Sequence, residues 1–146
     1  MTTAAPKKEH PTNRVRALVH QWMAVWDRND GDAAPLLDLL SPEGFAIHVT
    51  TQKEPISTAA GVEKWFGAFH EQVAEDEHQV QSVEISPLAD GAYRVEIAVR
   101  CPGTALGGGP FLVRSQHSWE VVDYGGLFPR IRRLEAKLIT EAAPSS

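Results

Sequence analysis

The second half of this chain consists of four segments in which apolar and polar residues alternate, the pattern of β-strands that have one buried face. The predicted strands span residues 78–88, 92–101, 111–123 and 128–139. Turns at Asp90-Gly91 and Gly125-Gly126, and a longer loop rich in Pro and Gly at 102–110, separate them. Strands joined in this way pair antiparallel, so this half predicts a four-stranded meander.

The first half carries helical periodicity instead. Apolar residues recur every three or four positions over residues 13–28, and again after Ser57 or Thr58, either of which can cap a helix. The two apolar stripes are Val15, Leu18, Val19, Trp22 and Trp26, and Val62, Trp65, Phe66, Phe69 and Val73. Between them, Asp32 can cap a short Leu-rich helix with Pro35 in its first turn, and a short strand spans residues 45–50. These elements predict an α+β fold with three N-terminal helices packed on one face of a bent, mostly antiparallel sheet.

Composition narrows the classes of function. A chain of 146 residues has the size of one domain, which we place at residues 13–140 between polar tails at 1–12 and 141–146. The net charge of −5 argues against a nucleic-acid partner, and the single cysteine cannot form an internal disulfide. The first residues lack the apolar core of a secretory signal, and no apolar run approaches the length of a membrane span. We therefore expect a cytoplasmic protein that does not contact membranes.

Alternation also predicts which side chains point toward the helices. The inward positions are Tyr93, Val95, Ile97 and Val99 on one strand, and Val113, Ser115, His117, Trp119 and Val121 on the next. If the hairpin closes symmetrically about residue 106, His117 lies opposite Val95 and Trp119 lies opposite Tyr93. The two apolar faces then coincide, which predicts an inward-facing His117.

The last strand leaves two interpretations open. Leu134, Ala136 and Leu138 form the more apolar set and should face inward, which leaves Glu135 outside. A slip or bulge at Gly125-Gly126 would reverse the faces and bring Glu135 near the pocket.

Several local strings, in this order, resemble the nuclear-transport-factor-two-like superfamily, in particular its SnoaL-like and ketosteroid-isomerase-like members. They are a Trp-rich first helix, the break at 29–32, Leu39-Leu40 before the first strand, the helix "GVEKWFGAF" and the closing strands "SQHSWEVVDYGGLFPRIRRLEAKLI". The resemblance covers roughly residues 13–140. It implies a cystatin-like cone in which the curved sheet wraps around the helices, with an apolar pocket at its wide end. Such cones serve as isomerases, dehydratases, cyclases, pure binders and dimerisation modules, so the fold alone does not define a reaction.

The resemblance also suggests positions for catalytic groups. An ungapped match through Gly31-Asp32 and Leu39-Leu40 places His48 where the ketosteroid isomerases keep an aspartate base. The string "HSWEV" places His117 where they keep an oxyanion-donating acid, whereas Ala24 stands in place of their tyrosine. Alternation within the strand disagrees about His48, because it puts this side chain on the face opposite Ile47 and Val49.

We therefore predict His117 and His48 as acid/base residues. The predicted pocket lining comprises Trp22, Trp26, Trp65, Phe69, Tyr93, Ser115 and Trp119, and the expected ligand is a small apolar molecule. We predict no cofactor, and a metal site from His48, His70 and His117 lacks a supporting carboxylate spacing. The remaining histidines, His10, His20 and His78, are predicted to be exposed.

Three functions remain open at the level of the sequence. The first is a cofactor-free isomerase, dehydratase or cyclase that uses histidine chemistry. The second is a non-catalytic binder of an apolar ligand in the same cone. The third is an assembly module, and a homodimer formed through the outer face of the sheet is compatible with any of them.

Overall fold

The computed structural model describes residues 10–141, which form three helices and six strands. They are α1 (Pro11–Asp27), α2 (Ala34–Leu37), β1 (Ala46–Val49), α3 (Ala59–Gln72), β2 (Val73–Asp76), β3 (Gln79–Pro87), β4 (Ala92–Ala105), β5 (Pro110–Val122) and β6 (Arg130–Glu141). The predicted tails lie outside the described residues except near their inner ends. Pro11 and Thr12, predicted as tail, form the start of α1, where the missing N–H of a proline leaves no bond unmade.

The six strands form one curved sheet in the order β1-β6-β5-β4-β2, with β3 also paired to β4. Among the paired strands of residues 10–141, β1 and β6 run parallel, whereas the other pairs are antiparallel. The predicted α+β fold class is therefore confirmed. Among the described residues, no helix is long and apolar enough to cross a membrane.

The core lies between the helices and the concave face of the sheet. Helix α1 buries seven side chains, Val15, Leu18, Val19, Trp22, Met23, Val25 and Trp26. They pack with Phe66 of α3 and with the inward residues of β4, β5 and β6 in one continuous cluster. Burial of each large apolar side chain contributes about 1.5–3 kcal/mol, so this cluster holds the helices in the concave face.

The β4–β5 hairpin keeps the predicted faces but has a different register. His117 pairs with Ile97 and Trp119 pairs with Val95, which is two residues away from the expected pairing. The strands are also longer than predicted, because most of the expected loop at 102–110 is paired. A shift of two residues preserves the face of every side chain, so the inward orientation of His117 survives the error.

Gly103 explains why a segment with loop composition forms a strand. A Cβ atom at this position would lie 2.3 Å from Phe111 Cζ and 2.7 Å from the carbonyl oxygen of Glu75. The missing side chain therefore lets both neighbouring strands approach β4 closely.

Helix α3 ends earlier than its apolar periodicity predicts. Thr58 caps the helix, since its side chain accepts a hydrogen bond from the Gly61 N–H. Val73, predicted as the last residue of the helical stripe, is extended (φ −115°, ψ 125°) and begins β2 instead. Its pairing with Ala105 in the sheet overrides the helical spacing.

The ambiguity in β6 is resolved in favour of the more apolar face. Leu134 and Ala136 are buried, whereas the Glu135 side chain is 49% exposed and accepts hydrogen bonds from Arg133. The irregularity between β5 and β6 falls at Glu120/Val121. The alternative that brings Glu135 to the pocket is therefore wrong.

Candidate active site

A cavity of about 380 Å³ opens between α1, α3 and the concave face of the sheet, and we call it the cone cavity. Its polar side chains include His78, Cys101, Ser115 and His117. The other lining residues are Trp22, Met23, Trp26, Val49, Thr51, Gln52, Trp65, Ala68, Phe69, Gln72, Phe111, Val113, Leu134, Ala136 and Leu138. Its size and largely apolar lining are typical of a small-molecule site.

Five of the seven predicted lining residues, Trp22, Trp26, Trp65, Phe69 and Ser115, line the cone cavity. The prediction is wrong for Trp119 and Tyr93. Trp119 is buried in the core, where its ring meets Trp22 edge-on at a centroid distance of 5.8 Å. Tyr93 shares the inward face but pairs with Pro87 and Val121 near the start of β4, away from the cavity.

His48 does not line the cone cavity. It pairs with Glu135 on β6, and its neighbours Ile47 and Val49 are buried in the core. Its side chain lines a different cavity of about 460 Å³ with outward-facing residues such as Glu96 and Glu135. Alternation therefore predicted its orientation correctly, and the placement of His48 at the base position of the pocket is corrected.

His117 lines the cone cavity as predicted, but both of its ring nitrogens have side-chain partners. Trp119 Nε1 donates to His117 Nδ1 at 3.2 Å, and His117 Nε2 lies 2.9 Å from Ser115 Oγ. An indole N–H can only donate, so Nδ1 is the unprotonated nitrogen and Nε2–H donates to Ser115. The Ser115 hydroxyl hydrogen is then available to an acceptor in the cavity.

The environment of His117 keeps its ring neutral. Burial, and to a smaller extent the charge of His78, lower the pKa of His117 to about 4. A neutral ring whose two nitrogens are both engaged is a hydrogen-bond donor rather than an acceptor for a substrate proton. The structure therefore argues against His117 as the base, and the Ser115 hydroxyl, which accepts from His117, is the donor that lines the cavity.

A second histidine, which the sequence did not identify as a site residue, lines the cone cavity. His78, predicted to be exposed, lines the cone cavity, and its side chain is 15% exposed. Its Nδ1 lies 2.5 Å from Asp27 Oδ1, and its backbone N–H donates to both oxygens of the same carboxylate at 2.9 and 3.1 Å. Asp27 is the last residue of α1 and His78 immediately precedes β3, so the pair joins residues 51 positions apart.

Electrostatics favour the protonated form of His78. Burial lowers its pKa, but hydrogen bonds to Asp27 and Asp76 and the proximity of Cys101 outweigh burial, so that the pKa lies well above the usual 6.5. Nδ1 carries the hydrogen that faces Asp27.

His70 serves the packing of the helices. Its Nδ1 lies 2.9 Å from the Phe66 carbonyl oxygen, and its Nε2 lies 3.0 Å from the Trp26 carbonyl oxygen. These contacts connect α3 to α1. They engage both ring nitrogens of His70, and no group of potential metal ligands among the described residues contains His48, His70 or His117.

No protein-family model matches the sequence, and no curated protein sequence matches it either. Solved structures do match its fold across most of the chain.

Three solved structures illustrate this likeness. A candidate scytalone dehydratase from Novosphingobium aromaticivorans has a TM-score of 0.78 at 12% identity, covering 92% of this chain and 89% of that chain. The hexachlorocyclohexane dehydrochlorinase LinA-type3 from Novosphingobium barchaimii has a TM-score of 0.74 at 10% identity, covering 93% and 94%. A nuclear-transport-factor-2-like superfamily protein from Salmonella enterica has a TM-score of 0.73 at 11% identity, covering 92% and 94%. At these identities the comparison establishes the fold alone, and the predicted cone-shaped α+β fold is confirmed.

Proposed function

We propose that this protein is a cofactor-independent lyase that removes a proton and a leaving group from a small, neutral, largely apolar molecule. The observation that carries this proposal is the Asp27–His78 pair on the wall of an apolar cavity. A dehydrochlorinase and a candidate dehydratase share the fold, and both names describe eliminations.

The lining of the cone cavity supports a neutral substrate. Among the described residues that line it, none is Lys or Arg, the side chains that usually bind carboxylate or phosphate groups. Aromatic rings of Trp22, Trp26, Trp65 and Phe69 supply a large apolar contact surface. A flat or cyclic hydrocarbon skeleton suits this lining.

The Asp27–His78 pair supplies the base. Because the pKa of His78 is raised, its neutral form gains population as the pH rises; in that form His78 donates Nδ1–H to Asp27 and presents the Nε2 lone pair to the substrate. Nε2 takes a proton from carbon, the C–H electron pair forms the new double bond, and the leaving group departs with its own bonding pair. Asp27 stabilises the imidazolium that results, as a buried carboxylate does for the histidine of a hydrolase triad.

The Ser115–His117 pair supplies the opposing hydrogen bond. His117 Nε2–H fixes the Ser115 hydroxyl, which donates to the oxygen or halogen on which negative charge develops. A positioned base accelerates a reaction by about 10²–10⁴, and an aligned donor adds about 10²–10³. Together they suffice for a single proton abstraction without a cofactor.

The alternative is a non-catalytic binder of an apolar ligand. This alternative is supported by His117, because both of its ring nitrogens already have hydrogen-bond partners within the protein. The two proposals differ in what His78 does, because a binder does not need a histidine–carboxylate pair in the wall of its pocket.

The test combines a substrate panel with matched variants. Small neutral halides and β-hydroxy carbonyl compounds are incubated with the wild type, with Asp27→Asn, with His78→Gln and with His20→Asn, an exposed histidine of α1 that serves as the control. We expect elimination by the wild type and the control, and a loss of about 10²–10⁴ in kcat/KM for the other two variants. Elimination that persists in His78→Gln refutes the role of the pair. Binding of panel compounds without any turnover refutes the lyase and supports the binder.

A further inference from the structure

We propose that Asp76, His78 and Cys101 form a binding site for a thiophilic divalent cation, of which Zn²⁺ is the representative, in the wall of the cone cavity. One ligand atom from each residue can be chosen such that all three lie within 4.8 Å of one another. The proposal concerns binding and does not depend on the elimination reaction.

The distances match those of tetrahedral coordination. Zinc bonds of about 2.0–2.2 Å to nitrogen and oxygen and about 2.3 Å to sulfur place neighbouring ligands about 3.4 Å (N to O) and about 3.6 Å (S to O) apart. His78 Nδ1 lies 3.3 Å from Asp76 Oδ2, and Cys101 Sγ lies 3.8 Å from the same oxygen. These two distances are close to the expected values, and the third pair, His78 with Cys101, lies within 4.8 Å.

Asp76 supplies an independent indication of a cation. Its side chain is fully buried, with 0% relative exposure, and its Oδ1 has no hydrogen-bond partner among the described residues. Buried carboxylate oxygens are normally paired, because an unpaired one loses its hydration without compensation. The two carboxylates around this histidine, those of Asp27 and Asp76, share a single imidazole ring. The pocket therefore has more negative charge than one imidazolium can neutralise.

The backbone holds these three residues in place. Asp76 is the last residue of β2 and pairs with Gly103 of β4. Cys101 lies two residues before Gly103 on the same strand. The Glu77 N–H donates to the carbonyl oxygen of Pro102 at 3.1 Å, which fixes the turn that carries His78. Asp27 stays attached to the backbone N–H of His78 and can act as an outer partner of the site.

The donor set selects the kind of cation. A thiolate and an imidazole favour zinc, cobalt or copper over magnesium and calcium, which prefer oxygen ligands. Three protein ligands leave a fourth position, and it opens toward the cone cavity because His78 and Cys101 both line that cavity. A cation on Nδ1 takes the place of the hydrogen that faces Asp27, so cation binding and the base role of His78 exclude each other.

The test is a cobalt titration of the full-length protein after treatment with a chelator and a thiol reductant. We expect one equivalent of Co²⁺ to produce a thiolate-to-cobalt charge-transfer band and intense tetrahedral d–d bands, both removed by Zn²⁺. Cys101→Ser should abolish the charge-transfer band, and Asp76→Asn should weaken binding at least ~10-fold. His20→Asn should titrate like the wild type, and far-UV circular dichroism checks that each variant is folded.

A wild-type titration without the charge-transfer band refutes the site, as does equal Co²⁺ affinity in the wild type and Asp76→Asn. If Cys101→Ser does not fold, Asp76→Asn decides. The result is distinct from that of the substrate panel, because the cobalt spectrum requires no turnover. A cobalt site in a protein without lyase activity would leave this inference standing while refuting the proposed function.

Discussion

Acidification should destabilise this protein through His117 in a defined pH window. His117 is neutral in the folded state, where its pKa is lowered to about 4, and it takes up a proton near pH 6.5 once unfolded. Between these values the unfolded state binds more protons than the folded state, so stability falls as the pH falls. The contribution is complete above pH 6.5 and is lost progressively down to about pH 4.

The magnitude follows from the gap between the two pKa values. Each pKa unit corresponds to about 1.4 kcal/mol, so the fall from 6.5 to about 4 represents about 3 kcal/mol of folding free energy. Little of this free energy is offset by interactions of the protonated ring in the folded state, because the cross-strand partners of His117, Ile97 and Ala136, are apolar. The raised pKa of His78 acts in a different window, since its contribution is constant below pH 6.5 and is lost only as the pH rises.

The assay is urea unfolding at a series of pH values from about 4 to 8, applied to the wild type and to His117→Gln. Glutamine can accept the indole N–H of Trp119 and donate to Ser115, so it preserves both hydrogen bonds without a titrating group. We expect the wild-type free energy of unfolding to fall relative to the variant by about 1.4 kcal/mol per pH unit inside the window. Parallel pH profiles for the two proteins would refute the reasoning.

Three further predictions concern packing, the tautomer and assembly. Gly103→Ala should lower the free energy of unfolding in urea by about 1–3 kcal/mol, because the added Cβ would overlap Phe111. The control Gly67→Ala, whose Cβ would meet no atom within 4 Å, should not lower it. Equal losses in the two variants would contradict the packing argument. Trp119→Phe should raise the pKa of His117 in an NMR titration, since it removes the donor that stabilises the unprotonated Nδ1; an unchanged pKa would contradict the assigned tautomer. A homodimer through the outer sheet face predicts twice the 16.0 kDa chain mass in light scattering, and a monomer would refute it.

The sequence predicted which face of a strand each side chain lies on better than it predicted which residues pair between strands. Alternation placed Leu134, Ala136 and His117 inward and His48 outward, because side-chain direction is a local property of an extended backbone. The register of the β4–β5 hairpin was wrong by two residues, a shift that alternation cannot detect because every face is preserved.

The candidate base was beyond the reach of sequence patterns. Asp27 and His78 each lie at the boundary of an element, where apolar periodicity says little about orientation. Their contact depends on how α1 crosses the sheet, which is set by the packing of the whole core. The acidic run before His78 was the only local sign, since it concentrates negative charge beside a titratable ring.

The bond between Asp27 and the backbone of His78 joins the end of α1 to the turn before β3. The same helix provides Trp22 and Trp26 to the wall of the cone cavity. The position of α1 therefore sets both the shape of the cavity wall and the distance from the Asp27 carboxylate to the His78 ring. A substitution that shifts this helix is expected to change the two together.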